Sequence, residues 1–269
     1  MKNLILFDDD GWKSLLPLTY TRPIADIRVG ILTIREKWEK HLNAKGSYIT
    51  QDYLSAKFPI QIEAENWVIN ARLLPNEKII YLIDQLANNE ALLYKDSMIA
   101  ARLDEKQFKR LIEDESVNEL AGVDLSNESD LVDLIERPHH IFQKNAEQLA
   151  MDFALLTKAR NSLAISETNR VTNPEQIFLE EGARVEHCYL DASKGPIYVG
   201  KHATIMQGAM IMGGLAMNKY STIKMGAKIY GATTVGPYSK LGGEVSNSVL
   251  IGYSNKGHDG YLGNSVLGE

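Results

Sequence analysis

One stretch of the chain, residues 199–241, reads VGKHATIMQGAMIMGGLAMNKYSTIKMGAKIYGATTVGPYSKL and carries an internal repeat. An aliphatic residue stands at every sixth position: Val199, Ile205, Ile211, Met217, Ile223, Ile229, Val235 and Leu241. Four places after each of these comes a small or aliphatic residue: Ala203, Ala209, Leu215, Ser221, Ala227, Thr233, Ser239 and Val245. An α-helix repeats about every 3.6 residues and a strand about every 2, so neither produces this period. The pattern predicts a parallel β-helix of the left-handed, hexapeptide type.

The repeat also predicts how the β-helix is built. Three hexads, roughly 18 residues, form one triangular coil, with the aliphatic residue inside the prism and the small residue beneath the corner. The first coil is expected at about Leu179, and an irregular coil around residues 191–196. Residues 262–269 still follow the repeat, although a solenoid needs a cap on its last coil. The chain is therefore expected to be a fragment, or to have this end covered by a partner.

Composition limits the remaining possibilities. A chain of 269 residues is long enough for two domains. The net charge of −6 leaves no broad basic face, which argues against a nucleic-acid partner. The single cysteine, Cys188, excludes an intrachain disulfide, fits a reducing cytoplasm and is expected to be a buried small hydrophobe. The apolar run at residues 4–7 is too short for a signal peptide or a membrane span, so no membrane partner is expected.

Before the repeat, short strand patterns alternate with helical ones. The predicted strands are residues 4–7, 48–50, 67–70 and 94–102. The predicted helices are residues 31–42, 77–88, 105–113 and 145–161, with an acidic surface loop at 114–130. This alternation predicts an α/β domain with a mainly parallel, Rossmann-like sheet. We place this domain at residues 1–163, including a terminal linker helix, and the β-helix domain at residues 164–269.

Two motifs resemble those of known enzymes. Residues 16–23, LPLTYTRP, followed by Val29-Gly30, resemble the start of sugar-1-phosphate nucleotidyltransferases. Residues 257–263, GHDGYLG, are similar to the acetyltransferase loop of the bifunctional UDP-N-acetylglucosamine pyrophosphorylase / glucosamine-1-phosphate N-acetyltransferase family. That family also has a glutamate where Glu244 stands, fourteen residues before His258. The chain most closely resembles a divergent branch of this family found in Bacteroidetes-like bacteria.

The resemblance implies a transferase with two activities. The N-terminal part would join a sugar-1-phosphate to a nucleotide, using a nucleoside triphosphate and Mg²⁺ and releasing pyrophosphate. The C-terminal part would acetylate glucosamine-1-phosphate from acetyl-CoA. Hexapeptide β-helices of this family bind acetyl-CoA between neighbouring prisms, so the resemblance also implies a homotrimer.

The N-terminal part departs from the family at three points. The glycine-rich phosphate loop is absent, and residues 8–13, DDDGWK, take its place. The lysine expected after the Arg-Pro pair is Ile24. Where the family has a Gly-Asp pair after a strand, this chain has Asn70-Ala71-Arg72, so a magnesium-binding aspartate is missing.

We nevertheless expect a nucleotide site at the carboxyl ends of the parallel strands, where open α/β sheets bind ligands. Nucleotidyl transfer needs positive charge around the phosphates, so Asp8 and Asp9 are predicted to hold Mg²⁺. The predicted nucleotide- and phosphate-binding residues are Asp8, Lys13, Thr21, Arg22, Arg28 and Asn70. The alternative is that the aspartates cap a turn and that the arginines form surface ion pairs.

The predicted acetyl-transfer site centres on His258. Histidine has a pKa near neutrality, which suits a base that removes a proton from an amine. Flanking glycines, Gly257 and Gly260, let the loop project. Tyr261 would orient the substrate or donate to the oxyanion, Glu244 would bind the sugar or its amine, and both Lys240 and Lys256 would meet the sugar phosphate. The alternatives are a solvated loop histidine and a tyrosine packed at a corner.

Other functions stay open. His139-His140 are expected in an extended segment, where adjacent side chains point to opposite faces and make a poor metal pair. The chain could be a non-catalytic regulatory or scaffold protein that binds a sugar nucleotide, since the glycine loop and one aspartate are lost. It could also be a nucleotidyltransferase whose β-helix is purely structural.

Overall fold

The computed structural model describes residues 2–95, 97–112 and 120–269. The chain divides into two compact units, each made of two segments of the sequence. The first unit comprises Met1–Ile27 and Thr33–Glu136, and the second comprises Arg28–Leu32 and Arg137–Glu269. This division differs from the predicted one, which ended the first domain at residue 163. The long helix assigned to that domain as a linker belongs to the second unit.

Within the described residues, the first unit contains a six-stranded sheet. Its strands are β1 (Lys2–Phe7), β2 (Ala44–Ile49), β3 (Glu65–Asn70), β4 (Glu90–Tyr94), β5 (Ser97–Asp104) and β6 (Ala121–Asp124). They lie in the order β2-β1-β3-β5-β4-β6. The pairs β1–β2, β1–β3 and β4–β6 are parallel, whereas β5 runs antiparallel to both β3 and β4. The sheet is therefore mixed, with a parallel core of three strands.

The structure corrects two predictions in this unit. The strand predicted at 94–102 corresponds to β5 but begins at Ser97, because Lys95 has a φ of 49° and the chain turns back between β4 and β5. Strand β4 was not predicted. The loop predicted at 114–130 contains β6, whose backbone pairs with β4. The earlier part of that predicted loop, residues 114–119, lies outside the described residues, as does residue 113 of the predicted helix 105–113.

The helices of the first unit begin where capping residues permit. They are α1 (Ile34–Leu42), α2 (Asp52–Ser55), α3 (Glu77–Gln85) and α4 (Glu105–Ile112). α1 starts three residues after the predicted position because Thr33 caps it. The Thr33 hydroxyl accepts from Glu36 N at 3.2 Å, and the Glu36 carboxylate accepts from Thr33 N at 2.8 Å. Asn76 caps α3 in the same way, through Ile79 N at 2.9 Å.

The second unit is a prism of three parallel sheets, here called the first, second and third faces. The first face is β7 (Arg170–Thr172), β10 (Tyr189–Asp191), β13 (Met210–Met212), β16 (Lys228–Tyr230), β19 (Glu244–Ser246) and β22 (Tyr261–Gly263). The second face is β8 (Ile177–Leu179), β11 (Ile197–Val199), β14 (Leu215–Met217), β17 (Thr233–Val235), β20 (Val249–Leu250) and β23 (Val266–Leu267). The third face is β9 (Arg184–Val185), β12 (Thr204–Ile205), β15 (Thr222–Ile223), β18 (Lys240–Leu241) and β21 (Asn255–Lys256).

The predicted fold class, a Rossmann-like α/β unit followed by a left-handed parallel β-helix, is confirmed. Every residue of the two six-residue series is at most 3 % exposed. The β-helix begins earlier than predicted, since β7 already pairs with β10. The irregular coil at 191–196 is present, because Tyr189 pairs with Met210, three residues beyond the regular spacing of about 18. After Leu241 the coils shorten, and Thr234 pairs with Val249.

Helix α5 (Pro138–Thr157) and the short segment Arg28–Leu32 cover the second face of the prism. The helix packs on β17, β20 and β23. The buried apolar residues of this layer are Ile31, Leu149, Phe153, Phe178, Tyr198 and Ala216. Burial of this surface explains why α5 groups with the β-helix rather than with the sheet. The expectation of an extended segment at His139-His140 is wrong, because Pro138 fits the first helical position and both histidines lie in the first turn of α5.

Two features expected from composition can be compared with the structure. Cys188 is buried and reduced, and burial raises the pKa of its thiol, as befits a small core residue rather than a nucleophile. Among the helices of the described residues, none combines the length and the apolar character that a bilayer crossing requires.

Candidate functional site

Polar residues meet where the three parallel strands of the first unit end; we call this the carboxyl edge. Asp8 follows β1, Thr50 follows β2, and Asn70 ends β3. Asp8 N donates to Ile49 O at 2.8 Å, and Ala71 N donates to Phe7 O at 2.9 Å, so backbone bonds hold the strand ends together. Of the predicted nucleotide-site residues, the structure brings Asp8 and Asn70 to this edge, together with the predicted metal ligand Asp9.

Asp8 holds a turn in place. One carboxylate oxygen accepts from Ile24 N at 3.0 Å, and the other accepts from the Thr50 hydroxyl at 2.7 Å. Burial is the main cause that raises the pKa of Asp8 to about 6, and the nearby carboxylates of Asp9 and Asp26 add to it against the two hydrogen bonds. The carboxyl group is therefore poised to change its charge near neutral pH.

The raised pKa of Asp8 predicts a pH-dependent stability. The folded chain binds the Asp8 proton more tightly than the unfolded chain, so this contribution is present below about pH 4 and is lost as the pH rises through 6. An uncharged isostere, Asp8→Asn, is expected to unfold at a higher urea concentration than the wild type at pH 7.5. The gain is at most about 3 kcal/mol and should vanish at pH 4.

Urea unfolding at both pH values measures this effect, with the neighbouring and exposed Asp10→Asn as the matched control. A difference between Asp8→Asn and wild type that stays constant from pH 4 to 7.5 would contradict the assignment of the raised pKa to Asp8.

Asp9 is saturated by donors from its own chain. Its Oδ1 accepts from Gly11 N at 3.0 Å and from Arg72 Nε at 2.9 Å. Its Oδ2 accepts from Asn70 Nδ2 at 2.8 Å and also from Arg72 Nη2. The Asp9 and Arg72 side chains are 21 % and 14 % exposed. Arg72 was not among the predicted site residues, although it stands where the family's aspartate is missing.

The donor set does not fit the predicted magnesium ion. Mg²⁺ needs free carboxylate oxygens in a near-octahedral shell. Both oxygens of Asp9 are taken by N–H donors, one of them a guanidinium that already neutralises the carboxylate. Both oxygens of Asp8 are also bonded. Within the described ranges, no three His, Cys, Asp or Glu residues come close enough to hold a metal ion together.

The other predicted phosphate ligands of this site are dispersed. Lys13 is exposed and pairs with exposed Asp10 at 3.0 Å. Thr21 is exposed, whereas Arg22 is buried in the turn that leads to Ile24. Lys13 and Thr21 therefore keep the freedom to contact a bound phosphate, and Arg22 is not the surface ion pair of the alternative interpretation.

Arg28 does not belong with these residues. It lies in the second unit and is 6 % exposed. Its guanidinium donates to Ile251 O at 3.2 Å, to Ile31 O, and to Asn218 Oδ1 at 3.2 Å. Since carbonyl and amide oxygens of its own unit occupy these N–H groups, the predicted phosphate-binding role of Arg28 does not fit the structure.

The Val29-Gly30 pair of the N-terminal motif lies in the same segment of the second unit, Arg28–Leu32, which is hydrogen-bonded to α5. Asn145 accepts from Gly30 N at 2.7 Å, and Asp152 accepts from Ile31 N at 2.8 Å. Gly30 has a φ of 79°, and a Cβ there would lie 2.7 Å from the backbone of Gln148. Glycine is required here by the close approach of α5. This part of the motif is therefore structural in this chain.

The second candidate site lies on the first face of the β-helix. Strand pairing places Glu244 between Lys228 and Tyr261 in neighbouring coils. The Tyr230 hydroxyl donates to Glu244 Oε1, and this hydrogen bond is the main cause that raises the pKa of Tyr230 to about 12. Tyr261 is 64 % exposed. The structure thus brings Glu244 and Tyr261 together and adds Tyr230. The regular repeat of about 18 residues does not reveal Tyr230, because Lys228 and Glu244 pair at a spacing of 16 residues.

The loop that carries His258 projects between β21 and β22, and the histidine is exposed. The Lys256 ammonium donates to the carbonyls of Gly242 at 2.8 Å, His258 at 2.6 Å and Gly260 at 2.8 Å. All three of its N–H groups therefore brace the loop, which does not fit the predicted contact with a sugar phosphate. Lys240 lies on the third face, whereas Glu244 lies on the first.

Open α/β sheets bind ligands at the carboxyl ends of their parallel strands, so the carboxyl edge is the candidate ligand site of the first unit. A family model described as sugar nucleotidyl transferase matches residues 4–161, more than half of the chain. The chain belongs to the sugar nucleotidyl transferase family and is a transferase. No curated protein matches the chain.

Proposed function

We propose that this chain transfers a nucleotide to a sugar-1-phosphate and releases pyrophosphate, giving a product like UDP-N-acetylglucosamine. A sugar-phosphate oxygen would attack the α-phosphorus of the nucleoside triphosphate, and the bond from that phosphorus to the β-phosphate oxygen would break. The observation that carries the proposal is the family match across the first unit, whose strand ends collect Asp8, Asp9 and Asn70. The resemblance of residues 16–23 to the nucleotidyltransferase motif supports it.

Positive charge must meet the triphosphate at the carboxyl edge. Arg72 lies at this edge, beside Asp9. Among the described residues, Lys13 pairs with exposed Asp10. Such exposed ion pairs contribute little stability, so the Lys13 ammonium can turn to a phosphate. No step is assigned to a metal ion, because the oxygens of Asp8 and Asp9 are occupied.

Pyrophosphate release measured over a panel of nucleoside triphosphates and sugar-1-phosphates tests this proposal. Turnover that requires both substrates is the expected result. Nucleotide binding without turnover would instead favour the regulatory protein. Turnover that is unchanged after substitution of the predicted acetyl-transfer residues His258, Glu244 and Tyr261 is compatible with a β-helix that is purely structural.

A second activity, acetyl transfer to glucosamine-1-phosphate, is proposed for the β-helix. Its support is the exposed His258 on a loop braced by Lys256, close in sequence to the Glu244–Tyr230 pair. The amine nitrogen would attack the thioester carbon of acetyl-CoA, the coenzyme A thiolate would leave, and His258 would take the amine proton. Large side chains exposed on the first face, among them Tyr189, Met210 and Met212, support association with further copies, as in the expected homotrimer.

His258→Ala is expected to lower acetyl transfer about a hundredfold while leaving nucleotidyl transfer unchanged. The assay follows thiol release from acetyl-CoA, with the exposed His187→Ala as the matched control. Equal rates for both variants would leave His258 as a solvated loop residue.

A further inference from the structure

We infer that the guanidinium of Arg72 occupies the cation position of the carboxyl edge, so that this edge binds phosphate without a divalent metal held by Asp8 or Asp9. The inference rests on the proposed function for the identity of the ligand. It departs from the expectation of magnesium, and it makes Arg72 a ligand-binding residue with Asp9, Asn70 and Gly11 as its positioning residues.

Arg72 and Asp9 are locked together by more than their charges. Asn70 donates its amide N–H to Asp9 Oδ2 at 2.8 Å and accepts from Arg72 N at 2.9 Å, so one side chain fixes both partners. Gly11 N donates to Asp9 Oδ1 at 3.0 Å. The pair is therefore preorganised by residues from the ends of both β1 and β3.

Gly11 makes room for the guanidinium. A Cβ at Gly11 would lie 2.5 Å from Nε and 2.7 Å from Cζ of Arg72, closer than any real contact. The φ of Gly11 lies outside the left-handed region, so close approach rather than backbone conformation requires glycine here. The acidic turn DDDGWK thus has a glycine where the Arg72 side chain approaches its backbone closely.

The guanidinium retains donors for an anion. Arginine carries five N–H groups, and Asp9 takes the Nε–H and one from Nη2. Among the described residues, the hydrogen bonds of the Arg72 guanidinium go to Asp9. The remaining N–H groups form the planar fork that matches two phosphate oxygens. Partial exposure, 14 % of the side chain, lets a ligand reach it.

The existing Asp9–Arg72 pair also favours phosphate over a divalent metal at this edge. A divalent ion at Asp9 would lie next to a guanidinium and would have to displace it, at the cost of a charge-assisted pair in a partly buried site. A phosphate would instead bond to the guanidinium N–H groups that Asp9 leaves open, so the Asp9–Arg72 pair would stay intact. The carboxyl edge therefore offers N–H donors to an anion, whereas its carboxylate oxygens are already bonded.

Titration of UTP into the full chain, once in EDTA and once in excess magnesium, tests the inference. The expected dissociation constants agree within about threefold, and Arg72→Gln weakens binding at least tenfold in both buffers. Gly11→Ala, which keeps the arginine but displaces it, should weaken binding as well. The matched control is Arg102→Gln, which removes another partly buried arginine of the first unit, paired with Glu65 at 3.0 Å. Circular dichroism shows whether each variant is folded.

Several results would overturn the inference: loss of UTP binding in EDTA, a stoichiometric Mn²⁺ site that disappears in Asp9→Asn, or no UTP binding in either buffer. Binding that depends on Arg72 without any pyrophosphate release would leave the inference standing and reject the proposed function. Pyrophosphate release that is equal in Arg72→Gln and Arg102→Gln would do the reverse.

Discussion

Asp9→Ala is expected to lower the free energy of unfolding by about 2–4 kcal/mol. The substitution removes the acceptor of the guanidinium of Arg72, whose side chain is only 14 % exposed. It also leaves the Asn70 amide and Gly11 N without their acceptor. Leaving the partly buried guanidinium without its carboxylate lowers the free energy of unfolding by more than the intact pair contributes to it. Urea unfolding followed by circular dichroism measures the loss.

The adjacent residue supplies the control for this prediction. Asp10 is 96 % exposed in its side chain and pairs with exposed Lys13. Asp10→Ala should therefore unfold at the wild-type urea concentration. Equal, small effects of the two substitutions would show that the Asp9–Arg72 pair does not organise the carboxyl edge.

Gly236→Ala is expected to destabilise the β-helix by about 3–5 kcal/mol. A Cβ at Gly236 would lie 2.1 Å from Ile251 O and 2.6 Å from Leu250 O in the next coil. Those carbonyls cannot retreat easily, because Gly236 N donates to Leu250 O at 2.8 Å. Either the coils separate and lose ladder hydrogen bonds, or the backbone is strained.

Gly226→Ala is the matched control for Gly236→Ala. Gly226 has a φ of 70°, but nothing lies within 4 Å of its would-be Cβ. The control should cost about 1 kcal/mol, the penalty of a left-handed conformation alone. Thermal unfolding of both variants gives the comparison, and a larger loss for Gly226→Ala would contradict the assigned close packing of the coils.

The β-helix could be predicted from sequence because its signal is local and periodic. Each coil repeats the same environment, so Ile205, Ile223 and Leu241 meet the same burial in successive turns. The shorter coils after Leu241 could not be predicted in the same way. A coil with fewer residues interrupts the six-residue repeat, so the repeat no longer shows which strands pair.

The mixed sheet could not be read in full. Alternating apolar residues show that a segment is extended, but they do not show the direction in which it pairs. The turn between β4 and β5 has a lysine, Lys95, at a φ of 49°, where a glycine or asparagine would have signalled it. The predicted strand therefore ran from Tyr94 across the turn into β5, and β4 was missed.

The positions of Asp8 and Asn70 at the ends of β1 and β3 could be predicted from the sequence. Contacts that join residues far apart in the chain could not. Arg28 belongs to a recognisable motif, but its acceptors Asn218 and Ile251 lie far along the chain. Arg72 belongs to no motif, and only the pairing of β1 with β3 brings it to Asp9. Sequence spacing cannot reveal either contact.

Phosphorus NMR of the full chain with UTP and N-acetylglucosamine-1-phosphate tests the central claim, nucleotidyl transfer to a sugar phosphate, most directly. We expect both substrates to disappear together while pyrophosphate and a diphosphate-linked sugar nucleotide appear in equal amounts. Added pyrophosphate should reverse the change. Unchanged spectra, or UTP hydrolysed with the sugar phosphate untouched, would contradict it.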